Sequence, residues 1–382
     1  MISNYFESHQ GGLELIGGRL VRELRRLGED VRWLASDETP MPGDRELGGR
    51  TVAIRACNIT ERRLGIPFPI PNPRALRQIA REVRRSEAVL LQDSLYPLCV
   101  AAFLCARWSG RPVVIAQHVG LVAYRNPLFR LTMSLLNRIV ARPMLARAEG
   151  VAFFSEITAR YFSGVGFRRP PRLLFTGVDT SVFRPATPGR KPELRRRLGL
   201  HPDRPLAVFV GRFVEKKGLA ILSRMVRQRP DIGWGLAGWG PLDPRRWGAP
   251  NVRVFARPDA AELALLYQAG DVFVLPSKGE GFPLVIQEAL ACGLPVVCSA
   301  ATVAADRALS PFLCGVPLDE ANPEANAAEF CRAIDGVLAG GGDNPRAAEQ
   351  RFAFVSERYS WPDCARQYRD LIRSAAAASC RR

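Results

Sequence analysis

The sequence predicts an α/β fold with two parallel-sheet domains, and three observations carry that prediction. Short apolar, β-branched runs alternate with helical patterns along most of the 382 residues, as in chains that wind helices over a parallel sheet. The alternation comes in two series, parted by a proline- and arginine-rich stretch at 184–204 that reads as a connection. Within the second series, residues 271–297 form a complete β-loop-α-β unit around which the rest is organised.

In that unit Asp271-Val272-Phe273-Val274-Leu275 reads as a buried strand. Gly279 and Gly281 loosen the loop that follows, and Pro283 suits the first position of a helix, where no amide donor is needed. The helix is expected to run to about Cys292, stop at Gly293 and give way to a strand at Val296-Val297. Amides around Phe282 and Leu284, with Pro283 between them, point out of the helix start. Such an end favours phosphate by its dipole and its unpaired donors. Glu280 in the loop and Glu288 in the helix have seven residues between them. An ionised carboxylate only accepts hydrogen bonds, so one beside a phosphate site suits sugar hydroxyls. Taken singly, the two would pass for a surface glutamate and a helix-dipole glutamate.

The net charge is +17 and 47% of residues are hydrophobic. The charge implies attraction to nucleic acid, an anionic membrane surface or phosphorylated substrates. It is mostly arginine and scattered, with no nucleic-acid motif or aromatic-basic platform, so no nucleic-acid partner is expected. Nine cysteines form no Cys-x-x-Cys pair and only three histidines occur, so reduced thiols are expected and a zinc site is not. The first residues have neither the basic region nor the apolar stretch of a signal peptide. The longest apolar run, near 95–106, is too short to span a bilayer. A cytoplasmic location is the expectation.

Along the chain, 2–6 reads as the end of a first strand. It is short enough that either the domain starts abruptly or the coding start lies upstream. A loop then carries Gly11 and Gly12 into a helix with Leu13, Ile16, Leu20, Leu24 and Leu27 on one face. Strands are expected at 31–35, 51–54, 88–92 and 112–118, and helices at 74–85 and 96–108. His118 falls at the carboxyl end of its strand, where open α/β sheets bind ligands. A lone histidine there is otherwise structural. Residues 121–146 mix Leu131, Leu135 and Ile139 with Arg125, Arg130, Arg138 and Arg142. That content fits an interfacial helix, or a core helix with a solvated basic face.

The second series opens with a strand at 205–210 that ends in Gly211-Arg212-Phe213, before Glu215-Lys216-Lys217-Gly218 starts a helix. Arg212 and Lys217 are placed to hold a diphosphate, although surface ion pairing would also explain them. Gly238-Trp239-Gly240 is by itself a weak glycine turn.

The glutamate–seven–glutamate unit resembles the signature of glycosyltransferase family 4, the retaining group 1 glycosyltransferases of GT-B fold, closely over the unit itself and more weakly along most of the chain. The resemblance implies two Rossmann-like domains facing across a cleft. The first would span 1–183, with the C-terminal helix 362–382 packed back on it. A linker at 184–204 and a nucleotide-sugar-binding domain at 205–361 would follow. It further implies Glu280 beside the donor sugar, Glu288 on the ribose, and Arg212 and Lys217 on the pyrophosphate. Gly11 and Gly12 would lie against the donor phosphates and sugar, His118 near the reacting centre, and Gly281, Phe282, Pro283 and Leu284 around the phosphate end. The chain departs from the family at Thr176, where an asparagine is usual, and at Arg257-Pro258, where a glycine follows the strand. It also lacks the acidic element and Asp-Gly turn expected within 300–317.

The implied activity is transfer of a hexosyl group from a nucleoside diphosphate sugar to an acceptor hydroxyl, with configuration retained. Arg212, Lys217 and the helix start would stabilise the departing diphosphate, so neither a cofactor nor a metal is expected. The basic first domain points to a lipid-linked or lipopolysaccharide-like glycan acceptor at the cytosolic membrane face, within cell-envelope glycan or glycolipid synthesis. Two other readings stay open: a nucleic-acid-binding basic protein, and a non-catalytic nucleotide-binding module.

Overall fold

The computed structural model describes residues 1–9, 11–42, 47, 50–58, 68–120, 127–278, 283–319, 321–340 and 344–379. The chain divides into two compact units, Met1–Gly177 with Trp361–Arg382, and Val178–Ser360.

In the first unit the β-branched runs pair side by side. Strands β1 (Trp33–Ser36) and β2 (Thr51–Ile54) are parallel neighbours, and Ala56–Cys57 (β3) and Ile70–Pro71 (β4) make a small antiparallel pair. Strands β5 (Val89–Gln92), β6 (Val113–Gln117), β7 (Gly150–Phe153) and β8 (Arg172–Leu173) form a parallel row. The first residues of the chain join the two rows. Ile2 bridges both Leu34 and Leu91, its N–H donating to the Leu90 carbonyl at 2.8 Å while its carbonyl accepts from Gln92 N–H at 2.9 Å. Ile2, Leu34, Leu91, Phe103, Ile115 and Phe153 share one core.

The arginine-rich stretch is helical in pieces. Pro127–Leu136 passes through a π turn, Asn137–Ala141, into the helix Arg142–Arg147. Pro143 has no amide to continue an α-helical ladder, which accounts for a break at this point. The last helix, Trp361–Ser379, belongs to this unit, with Tyr368 buried and its ring 6.3 Å from that of Phe154.

In the second unit the strands are β9 (Leu206–Val210), β10 (Gly233–Gly238), β11 (Val252–Ala256), β12 (Val272–Leu275), β13 (Val296–Ser299) and β14 (Leu313–Val316). They make one parallel sheet in the order β11-β10-β9-β12-β13-β14. Strands β9, β12 and β13 are buried along their whole length, as befits a sheet covered on both faces. The winding reverses between β9 and β12. Doubly wound sheets bind ligands beyond the carboxyl ends of strands at such a reversal.

Two local expectations shift. The unit boundary falls between Gly177 and Val178, not after residue 183, and 184–204 is part of the second unit. Its helix Lys191–Arg197 is anchored by Arg195, which donates to Asp271 Oδ2 at 2.6 Å and to the Ala269 carbonyl at 2.9 Å. An arginine that meets a strand's first carboxylate removes the freedom a plain connection would have. Pro283 precedes its helix as the cap residue, with φ −77° and ψ 117°, and the helix spans Leu284–Ala291.

Candidate active site

Both units place polar side chains at the carboxyl ends of their strands. In the second unit these gather at the reversal. Strand β9 leaves into Arg212, and a 3-10 turn at Glu215–Lys217 follows. Gly218 then takes φ +75°, and a Cβ there would lie 2.2 Å from the Pro276 carbonyl oxygen. Only glycine tolerates that approach. The turn is tied across the reversal, because Lys278 N–H donates to the Lys216 carbonyl at 2.9 Å. The Lys217 stem lies beside Gly211.

The loops leaving β9, β10 and β11 are also knitted together. Phe213 N–H donates to the Trp239 carbonyl at 2.7 Å, and Leu242 N–H to the Phe213 carbonyl at 3.0 Å. Gly238, at φ +149°, comes so near Gly211 that a Cβ would sit 1.9 Å from its carbonyl oxygen. This approach sets the indole of Trp239 between two strand ends. The guanidinium carbon of Arg212 lies 4.9 Å from its ring centroid and that of Arg257 lies 4.4 Å away. Arg257 takes a left-handed backbone conformation, φ +50°.

Pro283, Leu284 and Glu288 stand at the helix that follows β12. Glu288 Oε2 accepts a hydrogen bond from the Tyr267 hydroxyl at 3.0 Å. Burial pushes its carboxyl up to about 7, and the Tyr267 bond opposes that rise. Nearby in sequence, Ser277 Oγ and both amide atoms of Gln287 are buried with no hydrogen-bond partner among the described residues. Buried polar atoms without partners are costly and call for an explanation. These two residues flank 279–282. Glu280, Gly281 and Phe282 themselves lie outside the described residues.

In the first unit, three consecutive residues at the end of β5 grip three at the end of β6. Gln92 Oε1 meets His118 Nε2 at 2.5 Å, Asp93 Oδ2 accepts Val119 N–H at 3.0 Å, and Ser94 Oγ donates to Gln117 Oε1 at 2.7 Å. Asp93 is buried at φ +79° and also accepts from Ser94 and Leu95 N–H. Burial raises its carboxyl above the usual range, against those amide bonds. His118 stacks on Phe154 at 3.7 Å between centroids, and burial lowers its imidazole to about 3. Gly11 caps the first helix, with the Glu14 carboxylate folded over it, while Gly12 faces open space. No hydrogen bond joins either glycine to His118 among the described residues.

Sequence reasoning missed Trp239, Gln92, Asp93 and Ser94. Each had a faint signal: an aromatic residue between two strand-end glycines, and the polar run Gln92-Asp93-Ser94 closing an apolar strand.

A model of the group 1 glycosyl transferases matches residues 204–357, and one of glycosyltransferase family 4 matches residues 10–182. A D-inositol 3-phosphate glycosyltransferase of Segniliparus rotundus is 33% identical over 268 residues, 64% of this chain and 58% of that protein, so the chain spans under two thirds of that relative. A GDP-mannose-dependent alpha-(1-6)-phosphatidylinositol monomannoside mannosyltransferase of Mycolicibacterium smegmatis is 28% identical over 321 residues, 78% of this chain and 79% of that protein. The solved structure of Anabaena HepE with UDP-glucose aligns over 98% of both chains, with TM-score 0.72 and 18% identity, which speaks for the fold alone. With one family model on each unit and a Rossmann-like sheet in both, the chain belongs to glycosyltransferase family 4, the group 1 glycosyltransferases of GT-B fold.

Proposed function

We propose that this chain moves a hexosyl group from a nucleoside diphosphate sugar to an acceptor hydroxyl, with retention of anomeric configuration. The observation that carries the reading is the pair Arg212 and Lys217 at the end of β9, on the reversal of the second unit's sheet. Cations held there, with the start of the Leu284–Ala291 helix, would offset charge gathering on a departing diphosphate. The reading therefore needs neither a metal nor a cofactor. Glu288 would take the ribose hydroxyls and Glu280 the donor sugar, on the strength of the family signature. Gly281, Phe282, Pro283 and Leu284 would line the phosphate end. In the first unit, Gly12 and Gly11 would leave room for substrate, and His118 would hydrogen-bond a sugar hydroxyl. The bond from the anomeric carbon to the diphosphate breaks, the acceptor oxygen bonds to the same face, and its proton passes to the departing phosphate oxygen.

The nucleotide-sugar donor is supported by a relative whose name carries GDP-mannose and by a fold neighbour crystallised with UDP-glucose. A glycan or lipid-linked acceptor, and work on an anionic membrane surface at the cytoplasmic face, are supported by one helical face. Leu131, Leu135 and Ile139 are 66%, 53% and 57% exposed at intervals of four, and Arg130 and Arg138 beside them are exposed too. Apolar side chains flanked by arginine suit a headgroup boundary. No helix among the described residues is long and apolar enough to cross a membrane.

The test is a thermal-shift panel of UDP, GDP and ADP with their common sugars, on wild type and Arg212→Ala. Ligand at a hundredfold its Kd adds about 2.7 kcal/mol. A shift with one base, lost in the variant, supports the reading. A folded protein that shifts with none of them overturns it. Absence of salt-sensitive binding to anionic vesicles would remove the membrane part.

A further inference from the structure

The Nε2 of His118 is met by an amide oxygen, Gln92 Oε1, at 2.5 Å. An amide oxygen only accepts, so Nε2 must carry the hydrogen. Which nitrogen of an imidazole is protonated follows from the partner of the other. The one side-chain hydrogen bond of His118 among the described residues is at Nε2, which leaves Nδ1 for another partner, and His118 keeps 8% of its surface.

We propose that Gln92 is a positioning residue that fixes His118 as the neutral Nε2–H tautomer, so that Nδ1 serves the substrate purely as a hydrogen-bond acceptor. For its consequence in turnover this rests on His118 being a site residue. The tautomer itself does not depend on that.

Several features make Gln92 a firm anchor. It is 2% exposed. Its backbone N–H is bound by Ile2 at 2.9 Å, and its amide nitrogen faces Met1 Sδ at 3.4 Å. A thioether is a weak acceptor and suits an N–H, so the amide turns its oxygen to the ring. Phe154 covers one face of the imidazole. The groups around the ring favour no added proton. Thr158 Oγ1, from the helix Glu156–Tyr161, donates to the His118 carbonyl at 3.5 Å and meets Ser155 Oγ at 2.9 Å. Tyr368 lies beyond Phe154. Asp93, next to Gln92 in the chain, spends Oδ2 on Val119 N–H and Oδ1 on Ser94 and Leu95 N–H. Burial alone lowers the imidazole, to about 3. Such a ring takes a hydrogen bond from a sugar or acceptor hydroxyl. It gives no proton to a leaving phosphate.

The test is nitrogen-15 NMR of the histidine rings, read across about pH 5–8. The chain has three histidines, so His9→Gln and His201→Gln assign the third signal by elimination. The expected result is a single neutral Nε2–H ring with no titration. An Nδ1–H ring, or a titration near the ordinary histidine value, would overturn the proposal. Gln92→Glu supplies a second reading. Its carboxylate faces the same Nε2–H and should bring the imidazole's titration into the observed window. An imidazole unmoved in a folded Gln92→Glu protein would equally sink the idea. Nucleotide binding is followed in the same samples with UDP and GDP. Loss of binding by the wild type would count against the proposed function while leaving the tautomer result standing.

Discussion

Tyr267 donates its phenolic hydrogen to Glu288 Oε2 across 3.0 Å, tying the carboxylate to the neighbouring helix Ala260–Ala269. The phenol is itself fully buried, and its ionisation is pushed far upward by burial and then by the adjacent Glu288 charge. The donor side of the bond is therefore fixed, and the protonation of Glu288 is what varies.

Stability should fall with pH through that carboxyl. Its folded value of about 7 lies above the ordinary carboxyl value of 4.5, with burial the leading cause. The native state thus keeps a proton that the unfolded chain releases. The stability from this group is whole below the ordinary carboxylate value and is lost as pH rises through about 7. Urea unfolding at acid and alkaline ends of this window should show wild type losing about 1–3 kcal/mol relative to Glu288→Gln. Parallel curves for the two proteins would disprove the coupling.

Trp239→Ala should weaken nucleotide binding without unfolding the protein. The indole holds the guanidinium groups of Arg212 and Arg257 at 4.9 and 4.4 Å from its centroid. Removing a cation–π platform costs about 0.5–2 kcal/mol, or about 2- to 30-fold in affinity. Titration calorimetry with UDP and GDP checks this, and Trp239→Phe should recover most of the loss.

Arg257→Gly should be more stable than Arg257→Ala by about 1 kcal/mol. Both variants lose the stack on Trp239. Only glycine accepts φ +50° without strain. Chemical denaturation of the pair decides the order, and equal stability would mean that the backbone relaxes when the side chain is cut.

Asp306→Ala should cost about 2–4 kcal/mol, because it strands charge that is now paired. The Asp306 side chain is fully buried. It accepts from Arg358 Nε at 2.7 Å and Nη2 at 2.9 Å, and from the Tyr359 hydroxyl at 2.6 Å. Arg358 keeps about a third of its surface (35%), which moderates the loss. A urea midpoint close to wild type would contradict this account.

The sequence by itself determined the local structure and the contiguous motifs. The β-branched run before Gly211 could only be a buried strand, and Arg212 and Lys217 follow within seven residues of its end, so their place needed no partner to be known. The helix after β12 was legible for the same reason, apart from its first residue: proline is compatible with both the cap and the first turn, and sequence does not separate them. What only the tertiary structure decided is which strand ends face each other. Gln92 and His118 are 26 residues apart and meet because β5 and β6 pair with Gln92 opposite Ala116. Trp239 and Arg257 meet because β10 and β11 pair with Gly238 opposite Ala256. Tyr267 reaches Glu288 because consecutive helices cover the same sheet. A hydrophobic period specifies which face of an element is buried. It carries no information on register between elements whose connections differ in length, and in this chain that register assembles both clusters of polar side chains.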